Sequence, residues 1–369
     1  MNDAADLSLL RAQIDDIDER LQVLLNQRAE AALAVASAKL TANPQATFYR
    51  PEREAEVLRR VLSRQQGPIP PEAMARLFRE IMSTCLALER PLRIGYLGPA
   101  GTFTQTAAFK HFGHAIVSVS LSSIPEVFRE VEAGGCDFGV VPVENSTEGV
   151  ITHTLDRFLQ SPLRVSGEIL LRIHHQLLSH AGSLAEVTQV VSHAQSLAQC
   201  RGWLDRHLPY VPQSPVGSNA EAAQRAAREP RTAAIAGHTA AELYGVPALA
   251  AHIEDEPNNT TRFLVIGGLP VAPSGRDKTS LLMSCRNVPG GLHRLLAPLA
   301  QHGVSMTRIE SRPSRQSLWE YVFFVDVEGH QDDAVLHQAF QALREEAPWF
   351  RILGSYPAAG ESLSGTVLR

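Results

Sequence analysis

Four cationic side chains in the N-terminal part of the chain are spaced so that they could bind a small anion: Arg11, Arg28, Lys39 and Arg53. Arg28 and Lys39 are eleven positions apart, so on a helix they share one face and could hold a dianion between them. Arg11 lies about 25 Å of helix axis from Arg28, and only a partner helix could bring it to the same ligand. The alternative is a solvated basic face, which composition alone does not exclude.

Three polar or glycine-rich stretches lie where strands are predicted to end. Residues 98–104 form a turn that leaves backbone N–H groups free at a helix N-terminus, where a carboxylate could bind. Residues 144–149 follow a buried strand, at the edge of an α/β sheet where ligands bind. Residues 258–263 are a third cluster at a strand edge. Ligand-binding residues are therefore expected in these stretches.

No group of histidines or cysteines in the sequence has the spacing typical of metal ligands. The four cysteines are scattered and include no CxxC pair: Cys85, Cys136, Cys200 and Cys285. This pattern argues against a zinc site or a disulfide framework and is typical of a reducing compartment. His174 and His175 are adjacent but have no evident third ligand, so strand packing is favoured for them. His193 follows a predicted strand and stays an open candidate, and we predict no metal and no cofactor.

The composition is that of a globular protein with more than one domain. A chain of 369 residues predicts two or three domains, and 44% hydrophobic and 20% charged residues are ordinary for a soluble protein. A net charge of −5 gives no basic field that would recruit nucleic acid or an anionic membrane. The N-terminus lacks the apolar region of a signal peptide, and no apolar run could span a bilayer, so we expect a cytoplasmic protein.

Residues 1–91 are predicted to be helical throughout. Apolar residues from Leu10 to Leu24 recur at alternating spacings of four and three, which places them in one stripe along a helix. Pro51 suits the first turn of a second helix, and a third helix is predicted to end at Glu89. One long and two shorter helices bury little in a single chain. We therefore expect an intertwined homodimer, or a higher homo-oligomer.

The periodicity changes after residue 91. Residues 92–270 alternate short buried strands with helices, which indicates an α/β fold with a largely parallel sheet, long enough for two lobes and a cleft. Residues 277–357 follow a linker, and their βαββαβ order is typical of a ferredoxin-like α+β unit. The predicted fold class is therefore multidomain, with an all-α, an α/β and an α+β part.

Three features of the helical part occur together: Leu10-Arg11-x-x-Ile14-Asp15-x-Ile17-Asp18, then Arg28 with Lys39, and Tyr49-Arg50-Pro51-Glu52-Arg53-Glu54. Over about ninety residues they resemble the all-helical chorismate mutases. The resemblance implies that Arg28, Lys39 and the partner's Arg11 bind the carboxylates and ether oxygen of chorismate. Arg53 would support this cluster, and Glu54 would accept a hydrogen bond from the ring hydroxyl. A unimolecular rearrangement needs conformer selection and charge stabilisation, and no nucleophile or metal.

Three positions depart from the commonest pattern of that family. Glu89 stands where many members have Gln, Cys85 where many have Ser, and Arg50 where Asp is frequent. An ionised Glu89 would repel charge developing on the ether oxygen, so it must be protonated to assist the reaction. The alternative is that Glu89 is an exposed helix end. We keep Glu89 as a candidate catalytic residue, with Cys85 and Arg50 as candidate substrate-binding residues.

The motifs GPxGTFT, ENSxxG and NxTRF occur in this order at residues 98–104, 144–149 and 259–263. Over about Leu92 to Gly268 they resemble the prephenate dehydratases. The resemblance implies two lobes like those of periplasmic binding proteins, with prephenate in the cleft and Thr102 among the binding residues. It assigns the essential role to Thr261, polarised by neighbours such as Asn145 and Ser146. Arg262 either binds a carboxylate or braces the lobe.

Two stretches of the C-terminal part resemble the phenylalanine-binding motifs of ACT domains: Val288-Pro289-Gly290-Gly291-Leu292 and Glu310-Ser311-Arg312-Pro313. The resemblance implies that Gly291, Leu292, Glu310, Ser311, Arg312 and Pro313 bind phenylalanine where two such units meet in a dimer. Inhibition of the dehydratase then requires that the ligand favour a less active state. The alternative is a unit that only helps subunits to associate.

Together the resemblances imply an enzyme of phenylalanine biosynthesis with two activities and feedback inhibition by phenylalanine. Its partners would be small molecules and further copies of the chain. A mutase fused to a prephenate dehydrogenase would need a GxGxxG fingerprint, which residues 98–101 do not supply. The remaining alternative is a mutase fused to a non-catalytic amino-acid-sensing or solute-binding module, and the Thr-Arg-Phe run at 261–263 counts against it.

Overall fold

Three helices form the N-terminal part of the chain in the computed structural model, which describes residues 2–43, 48–285, 287–313 and 321–359. They are α1 (Asn2–Ala42), α2 (Pro51–Arg64) and α3 (Pro71–Glu89). α2 and α3 each begin with a proline. Its fixed φ suits the first turn of a helix, and the backbone N–H that proline lacks would have no hydrogen-bond partner within the helix at that position. The predicted helical N-terminal region is confirmed.

Most of the apolar stripe of α1 is exposed in the single chain. Leu10, Ile14 and Leu24 keep 52%, 57% and 59% of their surface accessible. Near the other end of the helix Ala36 is buried, and α3 packs against α1. An apolar stripe of this length on a surface is typical of a face that another protein covers.

Two α/β lobes follow the helices. Their strands are β1 (Arg93–Leu97), β2 (Val117–Leu121), β3 (Phe138–Asn145), β4 (Gly149–Val150), β5 (Arg164–Arg172), β6 (Gln176–Leu178), β7 (Gln189–Ser192), β8 (Gln213–Pro215), β9 (Thr232–Ala236), β10 (Ala248–Ala251) and β11 (Thr260–Gly267). Their helices are α4 (Phe103–Phe112), α5 (Ile124–Glu132), α6 (Thr152–Phe158), α7 (Ala194–Gln199), α8 (Arg201–His207), α9 (Asn219–Arg228) and α10 (His238–Tyr244). Each lobe has its own sheet, so the predicted two-lobed organisation is confirmed.

The first lobe has strand order β2-β1-β3-β11-β5, with β4 paired to β3, and the second has β10-β6-β9-β7-β8. Both sheets are mixed. β3 runs parallel to β1, but β11 is antiparallel to both β3 and β5. The prediction of a largely parallel sheet is therefore wrong. The reason is that the chain returns from the second lobe before β11 and enters the first sheet from its opposite end.

The chain crosses between the lobes twice, at residues 173–175 and 252–259. The two crossing segments lie side by side and are joined by backbone hydrogen bonds. Ile173 N donates to Asn259 O at 2.8 Å, and Ile253 N donates to His175 O at 3.0 Å. The segments therefore form a paired connection beside the cleft.

The C-terminal part is a four-stranded antiparallel sheet with two helices, as its βαββαβ order predicts. Its elements are β12 (Asp277–Ser284), α11 (Gly291–Gln301), β13 (Met306–Pro313), β14 (Tyr321–Glu328), α12 (Ala334–Glu346) and β15 (Phe350–Pro357). The strand order is β13-β14-β12-β15, so β13 is an edge strand. This arrangement confirms an ACT-like sheet.

One hydrophobic core joins the C-terminal sheet to the first lobe. Leu282, Phe324 and Tyr356 of the sheet pack in the same cluster as Val165 and Leu264 of the lobe. All five side chains are almost completely buried, and full burial of an apolar side chain is worth about 1.5–3 kcal/mol relative to leaving it exposed. The C-terminal unit is therefore docked firmly on the lobe.

Among the described residues, no helix has the length and apolar character required to cross a membrane.

Candidate active sites

Thr261 and Asn145 lie side by side at the cleft, at the ends of neighbouring strands. β11 pairs with β3 in a register that places Thr261 opposite Asn145. Asn145 Nδ2 donates to Thr261 Oγ1 at 2.8 Å and to Asn259 Oδ1 at 2.8 Å. Thr261 and Asn145 keep only 8% and 6% of their surface exposed, so both groups act in a largely desolvated environment.

The orientation of the Asn145 amide follows from its contacts. Its Oδ1 accepts hydrogen bonds from the Thr147 hydroxyl at 2.6 Å, the Thr147 backbone N–H at 3.0 Å and the Glu148 backbone N–H at 3.1 Å. The amide nitrogen must therefore face Thr261, as a donor. Because Thr261 Oγ1 accepts this bond, its own proton remains available for another acceptor.

Side chains of the second lobe and the crossing segments complete this network. Gln199 Nε2 donates to Thr147 Oγ1 at 3.3 Å, and Gln199 Oε1 accepts from Asn259 Nδ2 at 3.2 Å. His175 Nε2 also lies 2.9 Å from Gln199 Oε1. Burial lowers the pKa of His175 and favours its neutral form. The Gln199 amide oxygen only accepts, so His175 Nε2 carries the proton and donates to it.

Sequence reasoning missed the roles of Asn259, Gln199 and His175 in this network. The position of Asn259 within NxTRF was a usable signal, because that motif already carries Thr261. Gln199 lies 24 positions from His175, 52 from Thr147 and 60 from Asn259, and no local pattern distinguishes it. His193 caps α7 by accepting from Gln195 N at 3.4 Å and is exposed.

Ser146 and Thr102 reinforce the edges of the cleft. Ser146 Oγ accepts from Thr260 N at 2.9 Å, which continues the β3–β11 pairing beyond Asn145. Thr102 Oγ1 donates to Leu97 O at 3.0 Å, so its hydroxyl holds the turn before α4. Gly101 in that turn has φ +89, a conformation that favours glycine, and an added Cβ would lie 3.2 Å from Tyr244.

Arg262 points away from the cleft, because successive side chains of a strand face opposite sides. Its guanidinium donates to Glu168 Oε2 at 2.9 Å, to Asp326 Oδ2 at 2.6 Å and to the Tyr356 hydroxyl at 3.1 Å. Asp326 and Tyr356 belong to the C-terminal sheet. This geometry corrects the expectation that Arg262 binds substrate and supports the alternative that it braces the lobe.

Arg308 of β13 makes a second ionic contact on the same face. Its Nε lies 2.8 Å from Glu144 Oε2. Glu144 pairs in register with Arg262, next to the Asn145–Thr261 pair. One face of these two strands therefore carries the candidate catalytic pair, and the other face contacts the C-terminal unit.

In the helical part, the structure brings Glu89 close to Lys39. Burial raises the pKa of the Glu89 carboxyl, and Lys39 opposes that rise by a smaller amount. Cys85 is buried one turn earlier on α3, and Arg28 is half-buried on α1. An open pocket at this end of the helices is lined by Leu33, Ala36, Ser37, Leu40, Thr41, Phe48, Leu88 and Glu89. Arg11 is exposed near the other end of α1.

The remaining candidates of the helical part contact other groups in the single chain. Glu54 lies 3.3 Å from Arg79 of α3, and burial raises its pKa while Arg79 lowers it. Arg53 pairs with Glu56, and Arg50 Nε lies 2.7 Å from Glu52. In the single chain the side chains of Glu54, Arg53 and Arg50 are therefore engaged by Arg79, Glu56 and Glu52 respectively.

The first C-terminal motif lines a pocket at the start of α11. Its lining comprises Cys285, Asn287, Val288, Gly290, Gly291, Leu292, His293 and Tyr321. Gly290 has φ +73 and precedes the helix, a place that favours glycine. Glu310, Ser311, Arg312 and Pro313 lie on the edge strand β13, where Arg312 forms an ion pair with Asp156 of the first lobe at 3.3 Å.

Comparison with known proteins agrees with this three-part organisation. The family model of chorismate mutase type II matches residues 10–90, that of prephenate dehydratase matches residues 94–270, and that of the ACT domain matches residues 279–345. A crystal structure of prephenate dehydratase from Arthrobacter aurescens in complex with L-Phe has 34% sequence identity and a TM-score of 0.67. The similarity covers 72% of this chain and 90% of that one.

Two curated relatives span nearly the whole chain. The bifunctional chorismate mutase/prephenate dehydratase of Stutzerimonas stutzeri is 53% identical over 363 residues, covering 97% of this chain and 100% of the relative. The corresponding protein of Pseudomonas aeruginosa is 52% identical over the same shares of the two chains. The family models of both catalytic parts and of the regulatory unit match in order, and these relatives match nearly the whole chain. The chain therefore belongs to the family of bifunctional chorismate mutase/prephenate dehydratases.

Proposed function

We propose that two separate sites perform the two reactions of the family in succession. The chain converts chorismate to prephenate by a Claisen rearrangement, and prephenate to phenylpyruvate with loss of water and carbon dioxide, in phenylalanine biosynthesis. The first reaction is assigned to the cationic cluster of the helical part, and the second to the cleft at Thr261. The hydrogen bond from Asn145 Nδ2 to Thr261 Oγ1, at 2.8 Å, carries the second assignment.

Dehydration requires a proton for the departing ring hydroxyl. As the C–O bond breaks, the electron pair of the ring–carboxylate bond moves into the ring, and carbon dioxide leaves as the ring becomes aromatic. Thr261 donates to the departing oxygen, directly or as a relay. Its hydroxyl is a weak acid, so the bond from Asn145 is required to stabilise negative charge that grows on Thr261 Oγ1. The fixed Asn145 amide supplies that donor without reorganisation.

The rearrangement site is proposed to be shared between two chains of an intertwined dimer. The exposed stripe of α1 supplies the apolar surface for a partner helix. An antiparallel partner helix would bring the partner's Arg11 towards Arg28 and Lys39 of the other chain. Three cations would then hold the two carboxylates of chorismate in its compact conformer and stabilise charge on the ether oxygen.

Glu89 is proposed to donate a hydrogen bond to that ether oxygen in its protonated form. Mutase activity is then expected to fall as pH rises through the pKa of Glu89, which burial raises above its ordinary value. The Glu89→Gln variant can donate at every pH, so its profile should be flatter. The measurement is kcat for prephenate formation across a pH series. Superimposable profiles for parent and variant would contradict this role.

A direct test of the assignment is an absorbance assay for phenylpyruvate with the purified full chain. We expect phenylpyruvate from either chorismate or prephenate, and a lower rate when phenylalanine is added. A chain that consumes neither substrate would contradict the proposed function. Inhibition that is absent at saturating phenylalanine would contradict only the regulatory part.

Phenylalanine is proposed to act through the contacts between the C-terminal sheet and the back of the catalytic strands. It would bind at the α11 pocket where two units meet, through Gly291, Leu292 and the edge strand with Glu310 and Ser311. A shift of β13 would move Arg308, which holds Glu144 at 2.8 Å. Glu144 directly precedes Asn145, so movement of Glu144 would displace the Asn145 amide that donates to Thr261 Oγ1.

Replacing Arg308 with glutamine is therefore expected to weaken inhibition without abolishing phenylalanine binding. Coupling between sites is typically about 5–150-fold in affinity, so we expect the half-inhibitory phenylalanine concentration to rise by about tenfold. Inhibition curves and calorimetric binding of phenylalanine measure the two effects separately. Arg351→Gln is the matched control, since Arg351 also joins the C-terminal sheet to the first lobe, at Ser161 O. An unchanged inhibition curve for Arg308→Gln would contradict this route.

A further inference from the structure

Three potential metal-ligand atoms converge on the two crossing segments, outside the cleft network of Thr261. His174 comes from the first segment, and His252 and Glu254 come from the second. His174 Nδ1 lies 2.8 Å from Glu254 Oε1 and 3.1 Å from His252 Nδ1. His252 Nδ1 lies 3.6 Å from the same carboxylate oxygen. Among the described residues this is the one cluster of three such groups.

The separations of the three atoms suit a transition-metal ion. A triangle with sides of 2.8, 3.1 and 3.6 Å has a circumradius of about 1.9 Å, slightly less than zinc–ligand bonds of about 2.0–2.1 Å. A point just off the plane of the triangle is therefore at bonding distance from all three atoms.

Hydrogen bonding alone satisfies the three atoms poorly. A neutral imidazole nitrogen carries either a proton or a lone pair. With a lone pair, His174 Nδ1 would face the lone pairs of the Glu254 carboxylate. With a proton, the single N–H of His174 faces two acceptors, Glu254 Oε1 and His252 Nδ1. His252 Nδ1 can then carry no proton of its own. A cation between the three atoms would satisfy all of their lone pairs together.

The donors are held in place by groups that do not bind the ion. The side chain of Glu254 keeps only 4% of its surface exposed, and its Oε2 accepts from His175 N at 2.9 Å, which orients the carboxylate. His252 has φ 55, a left-handed conformation that is uncommon for residues other than glycine. The backbone bond from Ile253 N to His175 O, at 3.0 Å, fixes the distance between the two segments. Such outer contacts are typical of metal sites.

We propose that His174, His252 and Glu254 bind one divalent transition-metal ion of the zinc class per chain. Two imidazoles and one carboxylate suit zinc and its neighbours, whereas calcium and magnesium prefer sites built from oxygen ligands. Both histidines are partly exposed, at 41% and 68%, so water can occupy a fourth position. The ion would join the two crossing segments and so fix the connection that carries His175 and Asn259.

The test uses the full chain, free of any affinity tag and stripped of metal with a chelator. Calorimetric titration with ZnCl2 should give one ion per chain. His252→Asn keeps a residue that tolerates positive φ and removes a strong ligand, so the affinity should fall by more than the roughly 10–100-fold typical of outer-contact changes. Binding should also raise the Tm of the parent and leave that of His252→Asn unchanged.

His114→Asn is the matched control, because His114 Nδ1 also lies 2.8 Å from a carboxylate, that of Glu80. It should bind Zn²⁺ as the parent does. The absorption spectrum of bound Co²⁺ should be that of a site with nitrogen and oxygen ligands. A thiolate charge-transfer band would instead place the ion on a cysteine. Three results would each overturn the proposal: the thiolate band, a parent that binds no Zn²⁺, and an affinity of His252→Asn equal to that of the parent.

Discussion

Replacing Thr261 with valine is expected to lower kcat for prephenate dehydration by about 10²–10⁴-fold, the range for loss of a positioned proton donor. Valine keeps the shape of the buried side chain and removes only the hydroxyl. The Asn145 amide loses one acceptor but keeps Asn259 Oδ1 at 2.8 Å, so the strand pair should stay folded. The rate of phenylpyruvate formation from prephenate measures the effect.

Two variants separate chemistry from stability in this experiment. Thr261→Ser keeps the hydroxyl and should retain most of the activity. Thr154→Val removes another buried hydroxyl of the same lobe, one that donates to Pro142 O at 2.6 Å, and should affect stability more than kcat. Parental kcat in Thr261→Val would remove Thr261 from the reaction. An equal loss in Thr154→Val would assign the effect to folding.

Mixing two inactive mutase variants is expected to restore mutase activity, because each site is proposed to draw on two chains. Arg11→Ala and Lys39→Ala should each lower mutase kcat by about 10²–10³-fold, as expected for loss of one donor to developing negative charge. A mixed dimer has one site with both substitutions and one site with neither. Random reassembly of a two-fold dimer from equal amounts should therefore recover about one quarter of parental activity.

The control for reassembly is each variant taken alone through the same dissociation and refolding steps. Neither should gain activity. The dehydratase rate of the mixture, which depends on the Thr261 cleft, reports how much protein has refolded. Complete absence of recovery in a mixture with full dehydratase activity would contradict a site shared between chains.

Local patterns predicted the elements of the fold well. The apolar stripe of α1 and the proline at position 51 determine helix position within a short stretch of sequence. The βαββαβ order of the C-terminal part was also readable, because each strand and helix there has its own periodicity. Strand direction in the two lobes cannot be predicted from local sequence patterns, because it depends on where the chain crosses between the lobes.

The side chains that act together are separated by long stretches of sequence. Asn145 and Thr261 were predicted as a pair only because each lies in a recognisable motif. Two of the partners of Arg262 lie in the C-terminal sheet, one of them 64 positions away at Asp326, and a motif carries no such information. The two proposed metal ligands that join His174 lie 78 and 80 positions away, at His252 and Glu254. Tertiary pairing of the crossing segments brings them together.

The most direct measurement is a time course with chorismate as the sole substrate of Thr261→Val. Two independent sites predict that chorismate disappears at the parental rate and that prephenate accumulates, while phenylpyruvate forms about 10²–10⁴-fold more slowly than with the parent. Phenylpyruvate formed at the parental rate would contradict the role of Thr261. Chorismate left unconsumed by a folded variant would contradict the separation of the two sites.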